Sequence, residues 1–167
     1  ILSACGLYYI VNIFKFKKIL TSLILFRIIT FLFYYLNVYH IYWPKTYSGV
    51  WQYGYEEAVQ IAKNNYDKVD NIFVTKGEGR PYIYFLLYMK YDPASFHKNS
   101  EVLKDQFFFI DVKGFDKFKF IDSDLTTPSI KNSLYILGAY NLPEDVNKIS
   151  TVKNLEGKAV FDIGITE

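Results

Sequence analysis

Apolar positions along this chain follow two unlike patterns. From residue 19 to residue 43 they run almost without a break, and Arg27 is the one formally charged side chain among those 25 residues. A helix of that size spans roughly 38 Å at about 1.5 Å per residue, against a hydrocarbon core of about 30 Å. Its far end gathers Tyr39, Tyr42 and Trp43, amphipathic rings suited to a headgroup interface, and Pro44 is expected to close it. A cleavable signal needs a shorter apolar core and a small-residue ending, and Tyr39-His40-Ile41-Tyr42-Trp43-Pro44 supplies neither. The reading is a transmembrane helix over 19–43, within which Arg27 must snorkel or meet a partner helix. Residues 1–18 read as the end of a truncated apolar segment followed by a basic turn.

Beyond Pro44 the periods shorten. Tyr55, Ala58, Val59, Ala62 and Tyr66 recur at helical spacing, with Glu56 and Glu57 at the start and Lys63 and Lys68 at the end, the polarity that a helix dipole favours. Asn71-Ile72-Phe73-Val74-Thr75 reads as a strand. The turn Lys76-Gly77-Glu78-Gly79-Arg80-Pro81 then leads into a second helix, carried by Tyr82, Phe85, Leu86 and Met89, with Ile83 and Leu87 implying burial on several sides. Tyr91-Asp92-Pro93 ends it, which leaves His97 in a surface loop. Short apolar or alternating runs at 107–112, 118–122, 133–137 and 159–165 predict strands, 148–152 another, and 143–146 a helical turn. The fold class is therefore α/β: one N-terminal transmembrane helix followed by a small α/β sandwich at 44–167, with about two helices and four to six strands.

Charge separates the same two regions. Residues 1–43 carry Lys15, Lys17, Lys18 and Arg27 and no acid, whereas 44–167 hold 15 basic and 17 acidic side chains. The lysines ahead of the apolar run place that side in the cytoplasm and the α/β domain outside the cell membrane. The slightly acidic domain argues against nucleic acid as a partner. The 33 aromatic residues come with 17 Lys to 2 Arg and much Ile and Asn, a bias that AT-rich coding alone would give. One cysteine, Cys5, excludes an internal disulfide framework. The only methionine is Met89 and the chain opens at Ile1 within an apolar stretch, so a fragment of a longer protein is expected.

Chemical motifs are sparse. There is no G-x-S-x-G, Walker A loop, H-E-x-x-H or EF-hand loop. His40 reads as interfacial. Asp122-Ser123-Asp124 and Glu144-Asp145 read as turn and cap acids before they read as cation ligands, so neither metal nor cofactor is expected. The 76–81 turn is the best local candidate, because a glycine turn between strand and helix exposes N–H groups at a positive helix end, where Lys76 and Arg80 would add charge for an anion.

Two strings carry a resemblance. Tyr47-Ser48-Gly49-Val50-Trp51-Gln52-Tyr53-Gly54-Tyr55 follows the membrane helix. Ile72-Phe73-Val74-Thr75-Lys76 then leads through the glycine turn to Arg80-Pro81-Tyr82-Ile83-Tyr84-Phe85-Leu86-Leu87-Tyr88-Met89-Lys90-Tyr91-Asp92-Pro93. Together they resemble the C-terminal end of bacterial polytopic GT-C glycosyltransferases of the dolichyl-phosphate-mannose–protein mannosyltransferase type, related to the aminoarabinose transferases. The resemblance implies an integral membrane enzyme that takes a sugar from a polyprenyl-phosphate carrier. Its acidic catalytic residue would lie in an earlier loop, so no residue here inherits that role. The partners implied are the lipid bilayer, the parent protein's remaining transmembrane helices and the carrier-linked donor. On this reading the soluble domain caps the membrane part, Lys76 and Arg80 face a phosphate, and Tyr82 or Tyr53 lies near a sugar. The alternative is a non-enzymatic, membrane-tethered binding or scaffold module.

Overall fold

A computed structural model of the chain describes residues 2–13, 15–104, 108, 110–122 and 129–166. It divides into two compact units, Ile1–Pro44 and Lys45–Glu167. In the first, helix α1 (Leu2–Ile13) precedes α2 (Lys17–Asn37), and the Lys17 ammonium donates to Asn12 Oδ1 at 3.0 Å. Two hydroxyls of α2 are satisfied along its own axis. The Thr21 and Thr30 hydroxyls donate to the carbonyls four residues back, at 2.8 Å each, and the Arg27 guanidinium lies 5.2 Å from the centre of the Phe31 ring.

Pro44 does not end this helix. The helical path continues without interruption from Lys17 to Tyr47, 31 residues long and apolar enough to cross a membrane, with none of its most apolar window buried. A core helix of the same composition would be covered. Proline lacks an N–H and its ring collides with the carbonyl four residues earlier. Here the turn Val38–Tyr42 widens to π geometry, with the Trp43 N–H bonded back to Val38 O, and α3 (Trp43–Tyr47) carries the proline near its start. Within this stretch Tyr35 and Tyr39 stack at 5.7 Å, and His40 meets Tyr39 edge-on at 5.1 Å.

The second unit is an α/β domain built on one seven-stranded mixed sheet. Its strands are β1 (Asn71–Thr75), β2 (Ser100–Lys104), β3 (Ile110–Phe115), β4 (Phe118–Ile121), β5 (Ser133–Gly138), β6 (Asn147–Lys153) and β7 (Ala159–Thr166), in the order β2-β3-β4-β1-β5-β7-β6. β1 is central and runs parallel to β4 and β5, while the outer pairs are antiparallel. Sheet alternation sorts the side chains. Ile72 and Val74, Phe118 and Phe120, Leu134 and Ile136, and Phe161 and Ile163 share one core, with Phe85 of α5 (Pro81–Met89) and with Ala58, Val59 and Ala62 of α4 (Tyr55–Asn65). Phe73, Tyr135 and Leu137 form a smaller cluster with Val146, separate from that core. Phe73 and Tyr135 stack there at 5.0 Å.

Three expectations change. Among the described residues the strands number seven, because edge strand β2 carries four exposed residues out of five and so lacks the alternation that marks a half-buried strand. His97 lies not in a loop but on the short helix α6 (Pro93–Asn99), which starts where the Asp92 carboxylate accepts the Ser95 N–H at 2.7 Å. Helix α5 buries only Pro81 and Phe85 fully, leaving Ile83 and Leu87 exposed. The run at 107–112 begins at Phe107, outside the described residues, and the strand there starts at Ile110.

Candidate functional site

Among the hollows of the α/β domain, two are bordered by residues that the sequence singled out, Lys76 and Tyr53. The first is a shallow depression of about 510 Å³ on the sheet, bordered by Phe73, Lys76, Glu101, Lys113, Lys119 and Asp122. Lys76 follows β1 directly, and its ammonium lies 3.2 Å from Asp111 and 3.3 Å from Asp122. Burial alone would lower its pKa. The hydrogen bonds it donates to both carboxylates outweigh that and hold the ammonium above its ordinary value. The lysine expected to meet a phosphate is thus flanked by two acids of its own chain. Asp122 pairs with it; Ser123 and Asp124 lie outside the described residues. Asp145 accepts the Ser129 hydroxyl at 3.0 Å. Among the described residues no group of three or more His, Cys, Asp or Glu could hold a metal ion.

The glycine turn is also engaged from within. The Gly77 N–H donates to Thr75 Oγ1 at 3.0 Å, and the Gly79 N–H to Lys76 O at 2.9 Å, so two amides of the expected anion nest are taken. Gly79 has φ +113°, and a Cβ there would collide with Gln52 Nε2. The glycine admits a side chain from another loop. That accounts for the second glycine of the turn without a ligand. Arg80 flanks the start of α5 and is exposed, whereas Tyr82 is half-buried and meets Phe120 edge-on at 6.5 Å. The four residues proposed from sequence do not converge: Lys76 borders the sheet depression and Tyr53 borders a different hollow.

That second hollow is a cleft of about 340 Å³, and its chemistry is of one kind. Trp51, Tyr53, Tyr84 and Tyr88 supply aromatic surface, Gln52, Glu56 and Glu57 supply polar groups, and Tyr55 lines it too. Local geometry explains why these side chains converge. The chain leaves the long helix at Tyr47, turns with Trp51 N–H on Tyr47 O (3.0 Å) and Tyr53 N–H on Ser48 O (3.0 Å), and enters α4 through Gly54. Gln52 at φ +58° and Gly54 at φ +109° both take left-handed backbone. At Gly54 a side chain would also press on Val152 and Phe161. The two turn hydrogen bonds and the close approach of Val152 and Phe161 to Gly54 hold this wall in place.

Below the wall the rings are ordered. Tyr55 stacks face to face on Tyr84, with centroids 4.5 Å apart and planes within 5°, and Tyr84 is nearly parallel to Tyr88 at 6.5 Å. Tyr55 is 1 % exposed, and its hydroxyl has no hydrogen-bond partner among the described residues. Burial, then the charge of Glu78, then Tyr84, push this phenol far above its ordinary pKa, so it stays protonated. Trp51, by contrast, is 71 % exposed. Sequence reading reached Tyr53 but missed Trp51, Gln52, Glu56, Glu57, Tyr84 and Tyr88. The i, i+4 spacing of Tyr84 and Tyr88 was the one available signal. Compared with protein-family models, curated proteins and solved structures, the chain matches none.

Proposed function

We propose that this chain is the C-terminal part of an integral membrane glycosyltransferase that uses a polyprenyl-phosphate-linked sugar, with the α/β domain extracytoplasmic. One observation carries the reading. The aromatic string 47–55, on which the resemblance rests, folds into the wall of a ligand-sized cleft, and in sequence it directly follows a helix long enough to span a bilayer. The polarity of the lysines at 15, 17 and 18 supports the orientation. Catalytic acid chemistry belongs, on this reading, to the parent protein's other loops, and the domain contributes binding. The test is transfer of radiolabelled sugar from synthetic polyprenyl phosphate by membranes that overexpress the complete gene. Carrier-dependent transfer above vector-only membranes is expected; equal transfer in both contradicts the proposal.

A membrane-tethered binding module without transferase activity is the second reading. The engagement of Lys76 by Asp111 and Asp122, in place of an open phosphate-facing cation, favours it. The same assay separates the two.

A further inference from the structure

We infer that the cleft between the 48–54 turn, the start of α4 and the outer face of α5 is a binding subsite for an uncharged saccharide, and that it excludes the carrier's phosphate. The inference builds on the transferase reading by naming the sugar-side chemistry of its soluble domain. Three properties of the cleft lead to it.

Shape and surface come first. A pyranose presents a flat apolar face of C–H groups ringed by hydroxyls, and it is held by an aromatic plane together with a few polar groups at its edge. The cleft offers Trp51 at 71 % exposure and Tyr53 at 45 % for stacking, with the Gln52 amide and the Glu56 and Glu57 carboxylates beside them. A large exposed indole on a rigid turn buries no core, so folding alone gives no reason for it.

Charge comes second. Helix α4 is 11 residues long, and its N-terminal end would ordinarily attract an anion. Glu56 and Glu57 already occupy that first turn, and among the described residues no Lys or Arg lines the cleft. A phosphate would meet two like charges there. A hydroxyl-rich neutral ligand would meet two strong acceptors.

Third is the unused group. The Tyr55 hydroxyl is buried, protonated and without a partner among the described residues, although buried polar groups are nearly always hydrogen-bonded. Tyr55 is one of the residues that line the cleft and it stacks on Tyr84, so the group left without a partner belongs to the cleft's own framework. The hydrogen-bonded turn through Gln52 and Gly54 pre-forms the wall, and this limits the ordering that binding requires.

The test uses the whole chain in lipid nanodiscs on an array of neutral, uronic and phosphorylated glycans. Saturable binding to neutral members is expected. The Trp51→Ala chain should bind them about three- to tenfold more weakly, which is the worth of one aromatic stacking contact. Glu56→Gln with Glu57→Gln should weaken neutral binding, through the loss of two charged acceptors, and gain phosphorylated glycans. In a Trp43→Phe background Trp51 is the sole tryptophan, and its emission should shift on titration with the best neutral glycan. Absence of binding across the array, binding confined to anionic glycans, or neutral binding unchanged by Trp51→Ala each overturns the inference. Glycan binding without sugar transfer by the complete gene would remove only the transferase reading. Transfer without glycan binding would remove only this subsite.

Discussion

Helices α2 and α5 draw on the same residue alphabet and put it to opposite use. Both are rich in Ile, Leu, Phe and Tyr and carry little charge. In α2 no residue is buried, and Phe26, Phe31 and Phe33 are each more than half exposed. In α5 Phe85 is fully buried, against Phe118 at 5.1 Å and Phe120 at 6.0 Å. Hydrophobic content alone therefore does not say what a helix packs against. Length does. Nine residues of α5 reach about 13 Å and can only lie on a sheet, whereas the 31 residues from Lys17 to Tyr47 reach about 46 Å, beyond the thickness of a bilayer core.

The comparison breaks most visibly at a pair of matched truncations. Phe85→Ala should destabilise the α/β domain by about 3–5 kcal/mol, through lost burial and the cavity left behind. Leu25→Ala in α2 should leave the unfolding transition of that domain unmoved. Urea titration of the full chain in micelles, followed by the near-ultraviolet signal of the domain's aromatic rings, measures both.

Gly79→Ala comes next. It forces an alanine into φ +113° and against the Gln52 amide, so a loss of about 1–3 kcal/mol is expected by the same titration. Combining it with Gln52→Ala should recover the steric part and leave the backbone part.

A comparable effect attaches to Asp162, which is 3 % exposed. It accepts the Thr151 hydroxyl at 2.8 Å and the Tyr140 N–H at 2.9 Å, and it pairs with Lys148 at 2.6 Å. Burial would raise its pKa, but these partners outweigh burial and hold it below the ordinary carboxylate value. Its contribution is therefore complete above about pH 4 and is lost as pH falls through the depressed value of the folded state. Asp162→Asn should cost about 1–3 kcal/mol at neutral pH and flatten the acid limb of a stability–pH profile.

Lys76→Met should have the smallest effect, under about 1 kcal/mol, because Asp111 and Asp122 are well exposed and water replaces the lost partner. Since the folded-state pKa of Lys76 is raised, its contribution is present below about pH 10 and fades as pH climbs past that value.

What was legible in the sequence follows from the range of the forces involved. Helix α4 was readable because Tyr55, Ala58, Val59 and Ala62 repeat every three to four residues and all four are buried. Strand β1 was readable because Ile72, Phe73 and Val74 form a short apolar run, which a central parallel strand covered on both faces requires. Helix α6 was missed although Asp92-Pro93-Ala94-Ser95 spells a capped start, since seven residues give too few turns for a period to show. Pro44 misled because a π turn upstream frees the space that a regular helix would deny it. In the candidate site, Gly79 was recognisable as a turn residue. The reason for it was not, because Gln52 lies far back in the sequence and only the fold brings the two together. The cleft was hidden for the same reason: Trp51 and Tyr84 border one hollow only because α4 packs on α5, which no local pattern encodes.

The most direct test of the contrast between the two units is tryptophan quenching at the middle of α2. With Trp43 and Trp51 replaced by phenylalanine, Phe26→Trp puts the only indole on a side chain that is 66 % exposed. In bilayers whose acyl chains carry bromine, its emission should be strongly quenched, while aqueous iodide should have no effect. Quenching by iodide, or indifference to the brominated lipid, would contradict a lipid-embedded helix and with it the division of this molecule into membrane and water-facing parts.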